Sequence, residues 1–218
     1  MVLNVDNGKK LCYNVIVGEN MLRNEVINEI IKFYDYKSYL EIGSLNGENI
    51  SKIDCQLKQS IDPQLSWLGH IPSHNPTFKM TSDDFFANDN YKDLKWDIIF
   101  IDGDHEREQV KRDINNSLER LNEGGTIVCH DMCPEREEQL QPRYCHNSWE
   151  AFAFFRTKNE DLEMYVVETD CGCGVIRVGK QETYKGNIES SWNFLVENKK
   201  EVLNTISVLE FKKLMEKK

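Results

Sequence analysis

The chain has no long apolar run, no excess of basic residues and no apolar segment at its N-terminus. None of its apolar stretches approaches the roughly 18–20 residues that cross a bilayer, so no membrane partner is expected. Its formal net charge is −10 at pH 7, whereas a protein that binds nucleic acid presents a basic face to the phosphates. Residues 1–10 lack the apolar core of a secretory signal peptide. We therefore expect a cytoplasmic protein with no nucleic-acid partner.

Seven cysteines are spread along the chain, and an odd number without a secretion signal favours reduced thiols. A zinc site is the alternative, and its candidate ligands are Cys129, Cys133, Cys171 and Cys173. Their pattern, Cys-x-x-x-Cys followed much later by Cys-x-Cys, departs from the two-residue spacing that zinc ribbons commonly have. The sequence therefore favours free thiols over a structural zinc site.

Three short apolar runs each lead into polar residues. The first run, 39–42, contains Glu41 and is followed by Gly43. The second run, 98–101, is followed by Asp102, and the third, 126–129, is followed by His130 and Asp131. Runs this short and this rich in β-branched and aromatic residues are typical of strands buried on both faces of a parallel sheet. Because the carboxyl ends of parallel strands meet at one edge, we expect these side chains to line one crevice.

Strand and helix patterns alternate up to residue 131, which predicts a doubly wound, mostly parallel sheet of seven strands with flanking helices. The predicted strands are 38–43, 57–62, 78–80, 96–101, 126–129, 164–167 and 174–178. The first predicted helices are 21–34, one that starts at Glu48, and one that starts at Asp83 with Ser82 as its cap. Two more are 105–121, which Gly124 and Gly125 end, and one that Ser148 caps and that continues through Arg156.

The last part of the chain has amphipathic spacing, which predicts a helical C-terminal extension. The expected division is therefore residues 1–180 for the α/β domain and residues 181–218 for the extension. The extension either covers the domain or makes a contact in a homo-oligomer, and the sequence leaves both open.

Gly43 and Gly47 lie where the first strand turns into its helix, so backbone N–H groups there can approach a ligand. Their spacing is Gly-x-x-x-Gly, and the Gly-x-Gly-x-x-Gly fingerprint of dinucleotide binding is absent. Glu41 would be repelled by a pyrophosphate, so the turn suits a cationic ligand with an amine and a sulfonium. About twenty residues further on, Asp62 either accepts hydrogen bonds from ribose hydroxyls or stabilises a plain turn before Pro63.

Four segments together resemble class I S-adenosylmethionine-dependent methyltransferases, and in particular the sugar O-methyltransferases similar to macrocin O-methyltransferase. The segments are Leu40-Glu41-Ile42-Gly43, Ile61-Asp62-Pro63, 100–105 (Phe-Ile-Asp-Gly-Asp-His) and 124–131 (Gly-Gly-Thr-Ile-Val-Cys-His-Asp). The resemblance covers residues 20–180 and implies a Rossmann-like fold with S-adenosylmethionine as cofactor. It assigns the methionine portion to Glu41, Gly43, Ser44 and Asp102, with Gly47 in the same turn, the ribose to Asp62, and the adenine to Ser82 and Asp83.

The resemblance also implies a divalent metal, Mg²⁺ or Mn²⁺, on Asp102 and Asp131. Related enzymes often carry a second acid immediately before the last one, where this chain has His130. Mg²⁺ prefers oxygen ligands, whereas imidazole suits Mn²⁺, Fe²⁺ or Zn²⁺. His130 is therefore a metal ligand, a substrate contact or a residue that faces away.

A sugar hydroxyl is a poor nucleophile near neutral pH, so its methylation needs a base, a metal or both. His105 is the first candidate for the base because imidazole titrates near neutrality. Asp104 is the second candidate, although it could instead cap the helix that follows. The segment after the fifth predicted strand offers substrate contacts, with Trp149 equally suited to core packing; these candidates are Arg143, Tyr144, His146 and Trp149.

The predicted function is methyl transfer to a hydroxyl of a sugar or glycan acceptor, for example a deoxysugar such as rhamnose. Two alternatives stay open: a catechol-type O-methyltransferase with a small aromatic acceptor, and a non-catalytic subunit that binds S-adenosylmethionine or a partner. A nucleotide-sugar oxidoreductase is disfavoured because both the dinucleotide fingerprint and a Tyr-x-x-x-Lys pair are absent.

Overall fold

The computed structural model describes residues 20–64 and 74–216, so the N-terminal segment with Cys12 lies outside the described residues. Seven strands in these residues form one sheet in the order β2-β1-β3-β4-β6-β5-β7. They are β1 (Ser38–Ile42), β2 (Leu57–Ile61), β3 (Trp96–Ile101), β4 (Leu121–Cys129), β5 (Leu162–Val167), β6 (Cys173–Val178) and β7 (Thr205–Ile206). Strands β1 to β4 pair in parallel, β6 runs antiparallel to β4 and β5, and β7 is parallel to β5. The predicted doubly wound sheet is therefore confirmed.

Helices cover both faces of the sheet, as the continuous apolar strands predicted. The helices are α1 (Arg23–Tyr34), α2 (Glu48–Ser51), α3 (Ser82–Phe86), α4 (Arg107–Glu119), α5 (Ser148–Lys158), α6 (Trp192–Val202) and α7 (Val208–Met215). In β3, Ile99 and Ile101 pack into the core beneath α4, α5 and α6, whereas Ile98 and Phe100 pack towards α1 and α7. None of the helices in the described part of the chain is long and apolar enough to span a membrane.

The predicted strand at residues 78–80 is wrong, and the tail supplies the seventh strand instead. Phe78 makes only an isolated bridge to Ile61, and the N–H of Met80 turns back to the Phe78 carbonyl at 3.1 Å, which ends the ladder. In the tail, α6 and α7 form as predicted, and β7 lies between them and pairs with β5. Leu195, Val202 and Phe211 are fully buried, so the tail covers the domain.

Several predicted helix ends are also wrong. The helix α4 begins at Arg107 with Glu106 as its cap and ends at Glu119. Gly124 and Gly125 instead lie within β4, where the pairing with β3 shifts register. The cap of α3 is Thr81 rather than Ser82, and its side chain accepts a hydrogen bond from the N–H of Asp84. Ser148 is the first residue of α5 and not its cap, which is Asn147, and the helix continues to Lys158.

Candidate active site

The turn after β1 brings the chain so close to β3 that glycine is required at its first position. Gly43 has φ = 84°, and a Cβ on it would lie 2.2 Å from the Asp102 carbonyl oxygen. Two backbone hydrogen bonds of 2.9 Å, Gly43 N–H to Ile61 O and Asp102 N–H to Ile42 O, tie the three strand ends together. Gly47, at φ = 76°, is the cap residue immediately before α2, and its Cβ would lie 2.6 Å from the ring of His74. These close approaches explain the Gly-x-x-x-Gly spacing.

Ser44 and Asp62 lie on either side of this turn. The Ser44 hydroxyl is buried and has no hydrogen-bond partner, which is uncommon for a buried polar group. Asp62 accepts hydrogen bonds from the N–H of Leu45 at 2.7 Å and of Gln64 at 2.6 Å. Asp62 therefore orders the turn, and its role towards a ribose stays a prediction.

Glu41 is almost completely buried beneath the same turn. Its carboxylate accepts hydrogen bonds from the Tyr39 hydroxyl and from Asn49 Nδ2, the latter at 2.9 Å. Burial raises the pKa of Glu41 to about 7, even though these two hydrogen bonds lower it. Glu41 therefore exchanges its proton near neutral pH.

This titration predicts a pH-dependent stability. The folded protein keeps the Glu41 proton up to about pH 7, whereas the unfolded chain releases it near 4.5, so stability falls between these values as pH rises. The free energy of unfolding of the wild type relative to Glu41→Gln should drop by about 3 kcal/mol across this range. Urea unfolding at several pH values measures it, with exposed Glu48→Gln as the control for net charge. A difference that does not change with pH would contradict this assignment.

Ser82 and Asp83, assigned to the adenine by resemblance, lie at the start of α3 and face α4. Gln109 Nε2 donates to Ser82 Oγ and to Asp83 Oδ1, both at 3.2 Å, and Arg112 lies 3.4 Å from Asp83 Oδ1. Their contact with a cofactor stays a prediction. Asp113 on α4, which was not among the predicted site residues, is a buried acid whose pKa burial raises to about 6.

The ends of β3 and β4 bring together Asp102, His105 and Asp131, as their positions predicted. His105 Nε2 lies 3.5 Å from Asp102 Oδ1 and 3.3 Å from Asp131 Oδ2, while its Nδ1 contacts the Tyr144 carbonyl. Burial opposes protonation of the imidazole, but the hydrogen bond to Asp102 and the charges of both aspartates raise the pKa of His105 to about 9. A protonated imidazole therefore bridges two carboxylates at neutral pH.

His130 faces the same two carboxylates and does not point away. Its Nδ1 lies 3.3 Å from Asp102 Oδ1 and 3.2 Å from Asp131 Oδ1, and its side chain is 5% exposed. Burial raises the pKa of Asp102, but the His130 charge and hydrogen bonds from both histidines outweigh it and hold that pKa far below its usual range. Asp102 is therefore ionised throughout the physiological pH range.

Arg23 and Asp170 complete this charged cluster, and neither was among the predicted site residues. Arg23 Nη1 lies 2.9 Å from Asp102 Oδ2, and its Nε lies 3.3 Å from Asp170 Oδ2. Asp170 follows β5, which runs parallel to β4, so the carboxyl-end rule could have found it. No local pattern distinguishes Arg23, because only tertiary packing brings the start of α1 to this edge.

Asp104 is exposed, and its Oδ1 accepts a hydrogen bond of 3.0 Å from the N–H of Glu106. It therefore forms a turn before α4 and does not cap the helix, whose cap is Glu106.

The loop after β4 carries the predicted substrate residues. Arg143 and Tyr144 are exposed and stack on each other, with the guanidinium carbon 5.1 Å from the ring centre. His146 has a left-handed backbone, with φ = 51°. Trp149 is 1% exposed and stacks on Phe194, so its indole belongs to the core.

The four cysteines weighed as zinc ligands do not converge. Cys129 packs in the core on one face of the sheet and Cys173 in the core on the other. Among the described residues, thiols instead meet at Asp131, where Cys145 Sγ lies 3.3 Å from Asp131 Oδ1. A hydrogen bond from Cys145 lowers the pKa of nearby Cys171.

Residues 40–132 match the profile of a family described as a methyltransferase domain. No curated protein sequence matches the chain significantly. Several solved structures have a similar fold. A candidate caffeoyl-CoA O-methyltransferase from Staphylococcus aureus has 16% sequence identity and a TM-score of 0.51, over 72% of this chain and 82% of that one.

Two further structures have their cofactor or its product bound. The methyltransferase PaMTH1 from Podospora anserina, with S-adenosylhomocysteine, has 14% identity and a TM-score of 0.51, over 72% of this chain and 78% of that one. The O-methyltransferase TomG from Streptomyces achromogenes, involved in tomaymycin synthesis and bound to S-adenosylmethionine, has 13% identity and a TM-score of 0.50, over 72% and 79%.

At these identities the structural likeness establishes the fold. The chain has the seven-stranded fold of class I methyltransferases. The family match runs from β1 to just beyond the end of β4, so it includes Glu41, Asp62, Asp102 and Asp131. The family match therefore covers less than half of the chain, and the likeness to the solved methyltransferase structures is one of fold.

Proposed function

We propose that this chain is an S-adenosylmethionine-dependent O-methyltransferase whose acceptor is a hydroxyl of a sugar or glycan. The observation that carries the proposal is the meeting of Asp102, His105 and Asp131 directly beside the glycine turn of β1. Methyl transfer from a sulfonium requires mainly alignment of donor and acceptor and removal of the acceptor proton. The glycine turn would hold the methyl donor, and the cluster of aspartates and imidazole would align the acceptor and remove its proton.

The cofactor side of the proposal rests on the β1 turn. Ser44 contributes a buried hydroxyl without a partner, which a bound cofactor would satisfy. Gly43 and Gly47 let the turn pack closely against Asp102 and His74, and Asp62 follows the end of the neighbouring strand. The acidic residues of the strand ends favour a positively charged donor.

The acceptor side includes a divalent cation, Mn²⁺ or Mg²⁺. Asp102 and Asp131 would hold it, and the donor set fits, because their carboxylate oxygens and the Nε2 of His105 converge within 4.8 Å of one another. A cation there would lower the pKa of His105 and free its imidazole to accept the proton of the acceptor. His130 would be the nitrogen ligand, since its Nδ1 lies 3.3 Å from Asp102 Oδ1 and 3.2 Å from Asp131 Oδ1, and a nitrogen ligand favours Mn²⁺ over Mg²⁺. Once bound, such an ion would lower the pKa of the acceptor hydroxyl and orient it.

The sugar assignment is supported by the resemblance of the motifs and by the exposed loop beside His105. Tyr144 presents an aromatic ring and Arg143 a cationic donor, a combination that suits a hydroxylated ring. The second candidate is a small aromatic acceptor, favoured by the description of the Staphylococcus aureus protein as a candidate caffeoyl-CoA O-methyltransferase. Methyl transfer to rhamnose and to caffeic acid, assayed side by side, distinguishes the two.

Calorimetric titration with S-adenosylhomocysteine tests the proposed function, with NAD as the ligand that should not bind. Ser44→Ala should weaken S-adenosylhomocysteine about tenfold, because the variant removes a hydrogen bond made only in the complex. Ser117→Ala on α4 is the matched control, since it also removes a buried hydroxyl without a partner. No heat of binding in the wild type, with or without Mn²⁺, would overturn the proposal and favour a protein without this cofactor.

A further inference from the structure

A second set of potential metal ligands lies on the far side of Asp131. The two oxygens of this carboxylate face different groups, because Oδ2 is 3.3 Å from His105 Nε2 and Oδ1 is 3.3 Å from Cys145 Sγ. Cys171 completes the set, and its sulfur lies within 4.8 Å of both other ligand atoms. We propose that Asp131, Cys145 and Cys171 form a binding site for Zn²⁺, which lies beside the oxygen-rich site at Asp102 and shares the Asp131 carboxylate with it.

The chemistry of the three ligands selects the metal. Thiolate sulfur binds Zn²⁺ in preference to Mg²⁺ or Ca²⁺, and a carboxylate commonly completes such sites. Zn²⁺–S bonds of about 2.3 Å place two sulfurs of a tetrahedral site roughly 3.8 Å apart, so small side-chain rotations suffice. Three protein ligands leave a fourth position for water or another oxygen. Binding releases the thiol protons to solvent, so the site becomes a dithiolate–carboxylate complex.

Backbone contacts hold the three ligand residues in place. The Ser148 hydroxyl lies 2.7 Å from the carbonyl oxygens of both Asp131 and Cys145, so one side chain links two ligand residues. The N–H of Cys133 donates to the Cys171 carbonyl at 2.8 Å, and the N–H of Met132 donates to the Gly172 carbonyl at 3.1 Å. The turn after β5 is therefore fixed against the chain that follows β4.

Two of the three ligand residues adopt a strained backbone. Asp131 has φ = 62° and Cys171 has φ = 59°, in the left-handed region that costs about 1 kcal/mol or more for a residue with a side chain. Such strain persists where the surrounding structure holds it, and it concentrates at functional sites. Both strained residues direct their side chains into this one set of ligands.

Gln139 provides the outer contact that thiolate ligands usually have. Its Nε2 donates to Cys171 Sγ at 3.2 Å. Its Oε1 accepts from the N–H groups of Glu135 at 2.7 Å and Arg136 at 3.0 Å, which fixes the amide so that the nitrogen faces the sulfur. An oriented donor of this kind stabilises a thiolate and positions it for a metal.

Cobalt substitution tests the site. The reduced protein is stripped with EDTA and titrated with Co²⁺, which gives a near-ultraviolet charge-transfer band only when thiolates bind it. We expect this band in the wild type, its loss on adding Zn²⁺, and its persistence in excess Mg²⁺. Cys145→Ser and Cys171→Ser should each abolish the band, and zinc content measured by mass spectrometry should fall by one ion per chain. Cys55→Ser, a half-buried cysteine outside the set, is the matched control.

Each other outcome overturns the proposal. A wild type without the charge-transfer band has no thiolate site, and this result does not depend on how the variants fold. A band that survives in both cysteine variants, each checked by circular dichroism, assigns the metal elsewhere. A mass lower by two hydrogens that reductant restores indicates a Cys145–Cys171 disulfide instead. Binding of S-adenosylhomocysteine is measured separately, so failure of the proposed function is distinguishable from failure of this site.

Discussion

We expect Asp131→Asn to lower the rate of methyl transfer by about 100-fold or more, while the affinity for S-adenosylhomocysteine changes little. The carboxylate contacts His105, His130 and Cys145 and lies at the end of β4. Asn keeps the shape of the side chain but removes the charge that a metal and an imidazolium require. The loss therefore falls on the chemical step rather than on cofactor binding.

The choice of Asn rather than Ala matters because Asp131 has φ = 62°. Asn and Asp tolerate this conformation better than Ala, so Asn separates the charge from backbone strain. Asp35→Asn is the matched control, since Asp35 also has a left-handed backbone, with φ = 59°, and lies at the exposed end of α1. Single-turnover rates and calorimetry measure the two effects. Unchanged turnover in Asp131→Asn would remove this carboxylate from the mechanism.

The same rate assay distinguishes the two candidate bases. His105→Gln should lower the rate with partial recovery at high pH, whereas Asp104→Asn should have little effect, because Asp104 is exposed and bonded to the backbone at Glu106. The opposite result would make Asp104 the base.

The second large effect is expected for Gly43→Ala, which should destabilise the fold by about 3 kcal/mol or more and abolish cofactor binding. The new Cβ would meet the Asp102 carbonyl at 2.2 Å, and backbone on both sides prevents an inexpensive shift. Separating the ends of β1 and β3 would also displace Asp102 from the cluster.

Gly124→Ala is a closely matched control for Gly43→Ala. Gly124 has φ = 76°, similar to Gly43, but no atom lies within 4 Å of its added Cβ. It should therefore cost only the backbone strain, about 1–2 kcal/mol, and leave cofactor binding intact. Thermal unfolding and titration with S-adenosylhomocysteine measure both variants. Equal destabilisation of the two would show that conformation rather than close approach makes Gly43 necessary.

Local pattern predicted the strands at the centre of the sheet because each is a short apolar run buried on two faces. It failed at element ends, where tertiary contacts compete with local preference. Gly124 and Gly125 look like a helix terminator, yet they lie in β4 at a shift in register with β3. Phe78 looks like a strand residue, yet its pairing stops at a single bridge because the chain turns back at Met80.

The sequence by itself determined six of the seven strands, the glycine turn and the meeting of Asp102 with Asp131, because parallel strands carry their carboxyl ends to one edge. Only the tertiary structure decided what surrounds these acids. Arg23, Cys145 and Cys171 come from three separate segments, and no spacing along the chain relates them. Their contacts depend on how helices and loops pack over the sheet edge, which long-range burial fixes and local periodicity does not record.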